Sequence, residues 1–409
     1  MTAFASLRPA LPILTGAALM LSVAMGLRQS MGLFLSPLTR ETGLSVADFT
    51  LAISMQNLTW GLLQPLAGAW AARLGFRRLM VGGALLYATG LLWLALAQSL
   101  LAVLASAGLL IGAALAATGT AVALAAASRP VSRTQRSLAL GMVSGVGSIG
   151  TVLAAPLGQA VIQAWDWRIG AAVFALLALC MVPAAWMAGR VDRLPLPEPI
   201  ATVDQAVSSK QALASAFRNL SFVVMALAYF VCGMQLVFLT THLPSYLDLC
   251  GMDPMLSAKA LALIGASNVL GSLFFGWAGG HANKQVLLGL IYLLRSGAFI
   301  WYFSALPTPD STLAFAAIIG FLWLGVVPLV SGWVADTFGL RWQAMLAGVA
   351  FSSHQLGSVA GALGGGLLYD WLHNYTLAWQ VGAGLGVAAG VAQILSARLL
   401  RPPPSCCLH

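Results

Sequence analysis

Charge is what this sequence has least of. Of its 409 residues only 8% are Asp, Glu, Lys or Arg, while 60% are hydrophobic. A soluble protein of this length needs a charged shell, so the shortage excludes that class and directs the chain into lipid. The acids are scarcest of all: Glu41, Asp48, Asp166, Asp192, Glu198, Asp204, Asp248, Asp253, Asp310, Asp336 and Asp370. Each falls in a loop or at the end of an apolar run, so no carboxylate is expected at mid-membrane. With no paired acids, H-E-x-x-H or Ser/Lys pair inside those runs, an intramembrane enzyme is not indicated. The absence of G-x-x-x-x-G-K-[ST] excludes an ATP-driven pump.

The five cysteines are scattered and show no C-x-x-C or Cys/His spacing, so no metal, disulfide framework or other cofactor is expected. An acyl anchor at Cys406 and Cys407 is set aside. The net charge of +9 is dispersed in short clusters between apolar runs, which is a topology signal and not a nucleic-acid footprint. The first apolar run is too long for a signal peptide and lacks a cleavage-like site, so it reads as a membrane span.

What the sequence does have is long apolar stretches. Each spanning helix needs about 20 such residues, and twelve segments qualify: 11–36, 47–71, 78–98, 101–125, 137–162, 168–189, 219–246, 257–280, 285–305, 311–334, 344–367 and 376–398. None shows the alternating pattern of a membrane barrel. Between the sixth and seventh lies the one long polar segment, with Pro195, Pro197 and Pro199 spaced as in an extended strap and an amphipathic stretch at 208–217. Arg8, Arg73, Arg77, Arg78, Arg129, Arg133, Arg136, Arg190, Arg193, Lys210, Arg218, Lys284, Arg341, Arg398 and Arg401 fall on the side of this linker. Only Arg40, Arg168 and Lys259 fall on the other. The asymmetry predicts that the linker and both termini are cytoplasmic.

The chain also repeats itself. Gly26-Leu27-Arg28 aligns with Gly233-Met234-Gln235, Pro37 with Pro244, and Gly141, Gly150 and Gly158 with Gly348, Gly357 and Gly365, all 207 residues on. The expected fold is therefore an all-α membrane protein with twelve transmembrane helices in two parallel six-helix pseudo-repeats, residues 1–190 and 219–409 joined by a linker at 191–218. A site between the halves near the bilayer midplane is the usual consequence.

Gly68-Ala-Trp-Ala-Ala72-Arg73-Leu-Gly75-Phe-Arg77-Arg78 resembles the G-x-x-x-D-R-x-G-x-R-R loop of the major facilitator superfamily, with Ala72 where the acid stands. The resemblance implies that Gly68, Arg73, Gly75, Arg77 and Arg78 form a cytoplasmic gate loop. The missing acid implies that its lock is weakened or built otherwise. Gly26-Leu-Arg28-Gln-Ser-Met-Gly-Leu-Phe34, Arg136-Ser-Leu-Ala-Leu-Gly141, His354-Gln355-Leu-Gly357 and Gly364-Gly-Gly-Leu-Leu-Tyr-Asp370 are similar to the monocarboxylate porters, particularly bacterial ones. The arginine with which animal members hold the carboxylate in span eight falls near Ser272 here, with Asn268 where an acid precedes it. The resemblance implies a bacterial inner-membrane location.

Two charges remain inside spans, Arg28 and Arg295. A charge at mid-bilayer costs roughly 3–15 kcal/mol. Arg28 either snorkels to the headgroups or lines an aqueous cavity; its side chain leans towards the membrane centre, which favours the cavity. With no acid to neutralise it, the substrate's carboxylate is its natural partner. Arg295 is read either as a second binding residue or as a cap on a neighbouring helix. Asn57, Gln235, Asn268 and Gln355 are substrate-binding candidates, although such amides also glue helices together. Gln235 is singled out as the repeat partner of Arg28. His354 is the titratable candidate for proton coupling, with a neutral structural histidine as the alternative. The function expected is secondary transport of a small organic anion, a monocarboxylate by resemblance, by a monomer and with protons as the coupling ion. An exporter of amphipathic compounds and a non-transporting ligand sensor are the alternatives.

Overall fold

The computed structural model describes residues 10–195 and 208–399. The strap around Pro197 and Pro199, the first nine residues, and Cys406 and Cys407 lie outside them. Among the described residues the chain is helical throughout, with no strand. Twelve long helices follow one another: α1 (Leu11–Phe34), α2 (Val46–Leu74), α3 (Phe76–Ala95), α4 (Leu100–Ser128), α5 (Arg133–Ala164), α6 (Trp167–Arg193), α7 (Leu220–Leu249), α8 (Pro254–His281), α9 (Lys284–Phe303), α10 (Pro309–Phe338), α11 (Gln343–Leu372) and α12 (Thr376–Leu399). A linker helix, Ser209–Arg218, precedes α7 and starts from a capping box in which Ser208 Oγ accepts from Gln211 N–H. Ten of the twelve are apolar enough to cross a membrane on composition alone. The other two, α2 and α11, are 29 and 30 residues long. They carry polar groups: Asn57, Ser352, His354 and Gln355 face the partner half or the cavity described below, while Gln56 and Gln64 turn to α4 of their own half.

The buried apolar side chains form two cores. One lies within Ala10–Val191, with Ala344 added from the other half; the second lies within Ala212–Ala389, with Ala69 added from the first. Matched glycines build the two alike. A Cβ on Gly150 of α5 would stand 1.9 Å from Ser22 O of α1, and one on Gly357 of α11 would stand 1.9 Å from Phe230 O of α7. In lipid, where apolar side chains gain little by leaving their surroundings, such backbone-to-backbone approach is what holds helices together.

The two halves share a second feature that hydropathy does not show. The fourth helix of each is broken. In α4 a π-helical stretch, Leu104–Leu110, is followed by a break at Gly119, where ψ is −170°. In α10 the helix ends at Trp323 and restarts at Val326. Gly119 and Gly325 are 206 residues apart, close to the repeat. A break strands backbone groups that lipid cannot satisfy, and neighbouring side chains supply the partners. Gln56 Nε2 donates to Ala107 O (2.8 Å) and Gln64 Nε2 to Ala116 O (2.9 Å) in α4. In α10, Arg295 Nη2 donates to Leu322 O (3.0 Å) and Asn268 Oδ1 accepts from Leu324 N–H (3.2 Å).

Between α2 and α3 the chain turns at Gly75 with φ +91°. Asp192, at the end of α6, then caps α3, its carboxylate accepting from Phe76 N–H (2.8 Å) and Arg77 N–H (2.9 Å). A Cβ on Gly75 would sit 2.9 Å from that carboxylate. Gly75→Ala is therefore expected to destabilise the fold by about 1–3 kcal/mol, the range of such backbone strain. Thermal unfolding in detergent checks this, and an unchanged midpoint would show that the turn relaxes freely.

Candidate functional site

The break residues and the polar faces of α2 and α11 converge on a cavity of about 170 Å³ between the halves. Arg28, Gln29 and Met25 enter it from α1, and Asn57 and Trp60 from α2. Thr120, Ala121 and Leu124 come from the lower segment of α4, and Tyr229, Leu236 and Val237 from α7. The broken α10 gives Trp323, Leu324, Val327, Val330 and Ser331, and α11 gives Ala347, Phe351, His354, Gln355 and Ser358. An annex of about 80 Å³, sharing Met25, Gln29, Thr120, Leu324 and Val327, runs along α5 past Ser144, Ser148 and Thr151.

Among the described residues Arg28 is the only charged one in this lining. Its Nη2 donates to Asn57 Oδ1 (2.6 Å), and its guanidinium lies 5.0 Å from the centre of the Trp60 ring. Nε is buried and has no protein partner. Among the described residues no acid forms an ion pair with Arg28; the ion pairs run instead between Arg168 and Glu41 and around Asp336. Hydrogen bonds from Trp167 and Arg168 hold Glu41, outside the membrane-spanning segments, below the ordinary carboxylate range. Gln355 Nε2 donates to Asn57 O (3.2 Å), linking α11 to the residue that holds Arg28. His354 stacks on Phe351 (5.5 Å), meets the edge of Tyr229 (4.8 Å), and turns Nδ1 towards Gln355 Oε1 (3.3 Å) and Ser358 Oγ (3.4 Å). Trp60 also packs on Phe351 (4.6 Å), so the cation lies at the edge of an aromatic wall.

Of the residues expected here, Arg28, Asn57, His354 and Gln355 are brought together. Three are not. Gln235 is buried, and its Nε2 donates to Gly382 O of α12 (2.9 Å) and reaches Ser296 Oγ of α9 (3.4 Å). Its neighbours Leu236 and Val237 line the cavity in its stead. Asn268 and Arg295 lie behind the wall, satisfying the break in α10. Arg295 is fully buried, with Nη1 also donating to Cys232 Sγ (3.2 Å). Trp60, Tyr229, Phe351 and the broken α10 are the lining groups that carry no polar signal in sequence; the glycine pair at 119 and 325 was the available clue to the breaks.

On the side of the linker the halves are in contact. Gly68 of α2 packs on the backbone of Ala344 and Met345, and Gly141 of α5 on Gly276 of α8, where an added Cβ would stand 2.6 Å from Gly276 Cα. Ser352 Oγ donates to Gly61 O, and Gln343 Nε2 to Ser128 Oγ (2.8 Å) and to Ser331 Oγ (3.0 Å). Asp336 of α10 accepts from Arg136 Nη1 of α5 (2.9 Å) and from Lys284 Nζ of α9 (2.8 Å), with Arg133 Nε at 3.6 Å. The loop residues sit at this end too: Arg73 Nη2 donates to Ser209 Oγ of the linker helix (2.7 Å), Arg77 lies over Trp186 (4.6 Å), and Arg78 is exposed. These contacts all lie between the level of Asn57 and the linker, so the cavity is closed on that side.

Comparison with known proteins agrees with this architecture. The chain is 28% identical to "Monocarboxylate transporter 13" of Rattus norvegicus over 332 residues, 80% of this chain and 75% of that one. It is 20% identical to the "Uncharacterized MFS-type transporter YcxA" of Bacillus subtilis over 369 residues, 86% of each. Among solved structures, the E. coli fucose:proton symporter FucP superposes with a TM-score of 0.70 at 15% identity, over 95% of this chain and 98% of that one. The sequence pattern of the Major Facilitator Superfamily matches residues 17–362, and with twelve helices in two parallel repeats the chain belongs to that superfamily of multi-pass membrane transporters.

Proposed function

We propose that this transporter moves an organic monocarboxylate with an apolar or aromatic body, in symport with a proton. The observation that carries the reading is Arg28, a cavity-lining cation with an unpartnered Nε and no described acid against it. A carboxylate approaching Arg28 completes a charge-assisted pair, while organic cations are repelled. Trp60, Tyr229, Trp323 and Phe351 supply apolar area for the rest of the molecule. The relatives named monocarboxylate transporters support the same substrate class.

In this reading residues 1–190 and 219–409 rock about the site as a monomer, with the linker at 191–218 on the cytoplasmic side of a bacterial inner membrane. The closed linker side then corresponds to a carrier open to the outside. The gate is built around Asp336, with Gly68, Arg73, Gly75, Arg77 and Arg78 shaping the loop beside it. His354 is the cavity side chain able to take the proton that accompanies the anion. The aromatic wall also favours a second reading, export of an anionic amphipath, over transport of a neutral sugar.

Uptake of labelled lactate, pyruvate and phenylpyruvate into proteoliposomes, with and without an inward proton gradient, tests the proposal. Phenylpyruvate is expected to be preferred, and the gradient to accelerate its uptake. In His354→Gln the acceleration should vanish while exchange of internal for external substrate continues. If none of these anions moves, the monocarboxylate reading falls and export takes its place; if the variant still responds to the gradient, His354 is structural.

A further inference from the structure

A second concave site lies away from the substrate path. Between α2, α3 and α4, on the side of the linker, is a groove of about 290 Å³ whose lining is apolar except at one end. Ala67, Gly83 and Ala116 form its floor, and exposed Trp70 and Leu74 one rim. It runs from Arg78 to Leu86 along α3, about 12 Å at the helical rise of 1.5 Å per residue. Arg78 stands at the end nearest the linker, where the membrane surface lies.

The partners of the neighbouring arginines set Arg78 apart. Arg73 is bonded to Ser209, Arg77 lies over Trp186, and Arg129 lies over Phe76 at 4.6 Å. Arg78 has no hydrogen bond, ion pair or ring contact among the described residues, and no acid lines the groove. An apolar channel opening on the bilayer, with one guanidinium unpartnered among the described residues where headgroups lie, has the charge and polarity of one lipid. We propose that this groove binds an acyl chain of an anionic phospholipid, with Arg78 on its phosphate. The small floor residues admit the chain, and Arg78 selects the headgroup, since a guanidinium pairs bidentately with phosphate and is attracted to anionic lipid. The site is separate from the substrate cavity and does not depend on what the cavity carries.

The test is lipid retention by the full-length protein, purified from bilayers of mixed phosphatidylethanolamine and phosphatidylglycerol and read by native mass spectrometry. Wild type is expected to retain a lipid enriched about 5-fold in phosphatidylglycerol over the bulk, the ratio that one basic residue at an anionic surface supplies. Arg78→Gln should keep the lipid and lose the enrichment. Gly82→Leu should lose the lipid of either kind, because it fills the mouth of the groove. That variant is expected to fold, as a Cβ on Gly82 meets nothing within 4 Å and leucine favours a helix over glycine. Unfolding temperatures measured alongside show whether it does. Equal enrichment in Arg78→Gln, or undiminished retention in a folded Gly82→Leu, would overturn the proposal.

Discussion

Arg28→Gln is expected to lower kcat/KM for carboxylate uptake by roughly 30- to 4,000-fold. The range follows from about 2–5 kcal/mol for truncating one partner of a desolvated, hydrogen-bonded charge pair, at 1.4 kcal/mol per factor of ten. Glutamine removes the charge and ends short of the Nη2 that now donates to Asn57 Oδ1 at 2.6 Å. Arg28→Lys should recover only part of the activity, since an ammonium offers no planar fork to a carboxylate. Proteoliposomes matched for reconstituted protein make the measurement. If Arg28→Gln transports as well as wild type, the anion reading of the cavity is wrong.

The second large effect is expected at Asp336. Its carboxylate ties α5 of one half to α9 and α10 of the other and is approached by Arg133, Arg136 and Lys284. Asparagine there leaves these cations facing one another without an acid. The side chain of Asp336 is 19% exposed and that of Arg136 5%. The loss therefore falls between the ~1 kcal/mol of an exposed pair and the ~3–5 kcal/mol of a buried one. The balance between closed and open states on the linker side should shift by roughly 5-fold or more towards open. Ser137→Cys, in a background without the native cysteines, reports it, because Ser137 is 1% exposed beneath Gly279 in the closed state. Its alkylation by a water-soluble maleimide should accelerate in Asp336→Asn. An unchanged rate would mean that the glycine contacts alone hold the halves together.

Twelve helices were legible because lipid imposes one rule, some twenty apolar residues per crossing, and the glycine offsets announced the repeat. Arg28, Asn57, His354 and Gln355 were legible because polar groups inside apolar runs need a wet or hydrogen-bonded surrounding. The same reasoning placed Gln235 and Asn268 among the cavity candidates and left Arg295 open between binding and capping, since it registers that a group needs partners but not which ones; all three lie outside the cavity lining. Position in a repeat fixes where the backbone of Gln235 runs, yet its amide is bonded to Gly382 O on the outer side of α7. Asn268 and Arg295 serve a broken backbone at Leu322–Leu324, an event to which hydropathy is blind. The acid missing at Ala72 has counterparts from afar: Asp192 caps α3, and Asp336 meets Arg136 across 200 residues of sequence, a distance no local pattern spans.

The lone cation of the cavity also makes the cycle answerable to voltage in a way that separates two modes of coupling. Moving one elementary charge through 100 mV is worth about 2.3 kcal/mol. If the anion travelled alone, the occupied cavity would be neutral and the vacant one positive, so an interior-negative potential would retard the reset step of uptake and hasten that of exit. With a proton aboard, the cavity carries the same charge full or empty, so a complete cycle moves no net charge and the potential supplies no driving force. A carrier with Arg28 and no acid among the described residues of its cavity is thus a rectifier when it moves a bare anion and electroneutral over the cycle when it moves the acid.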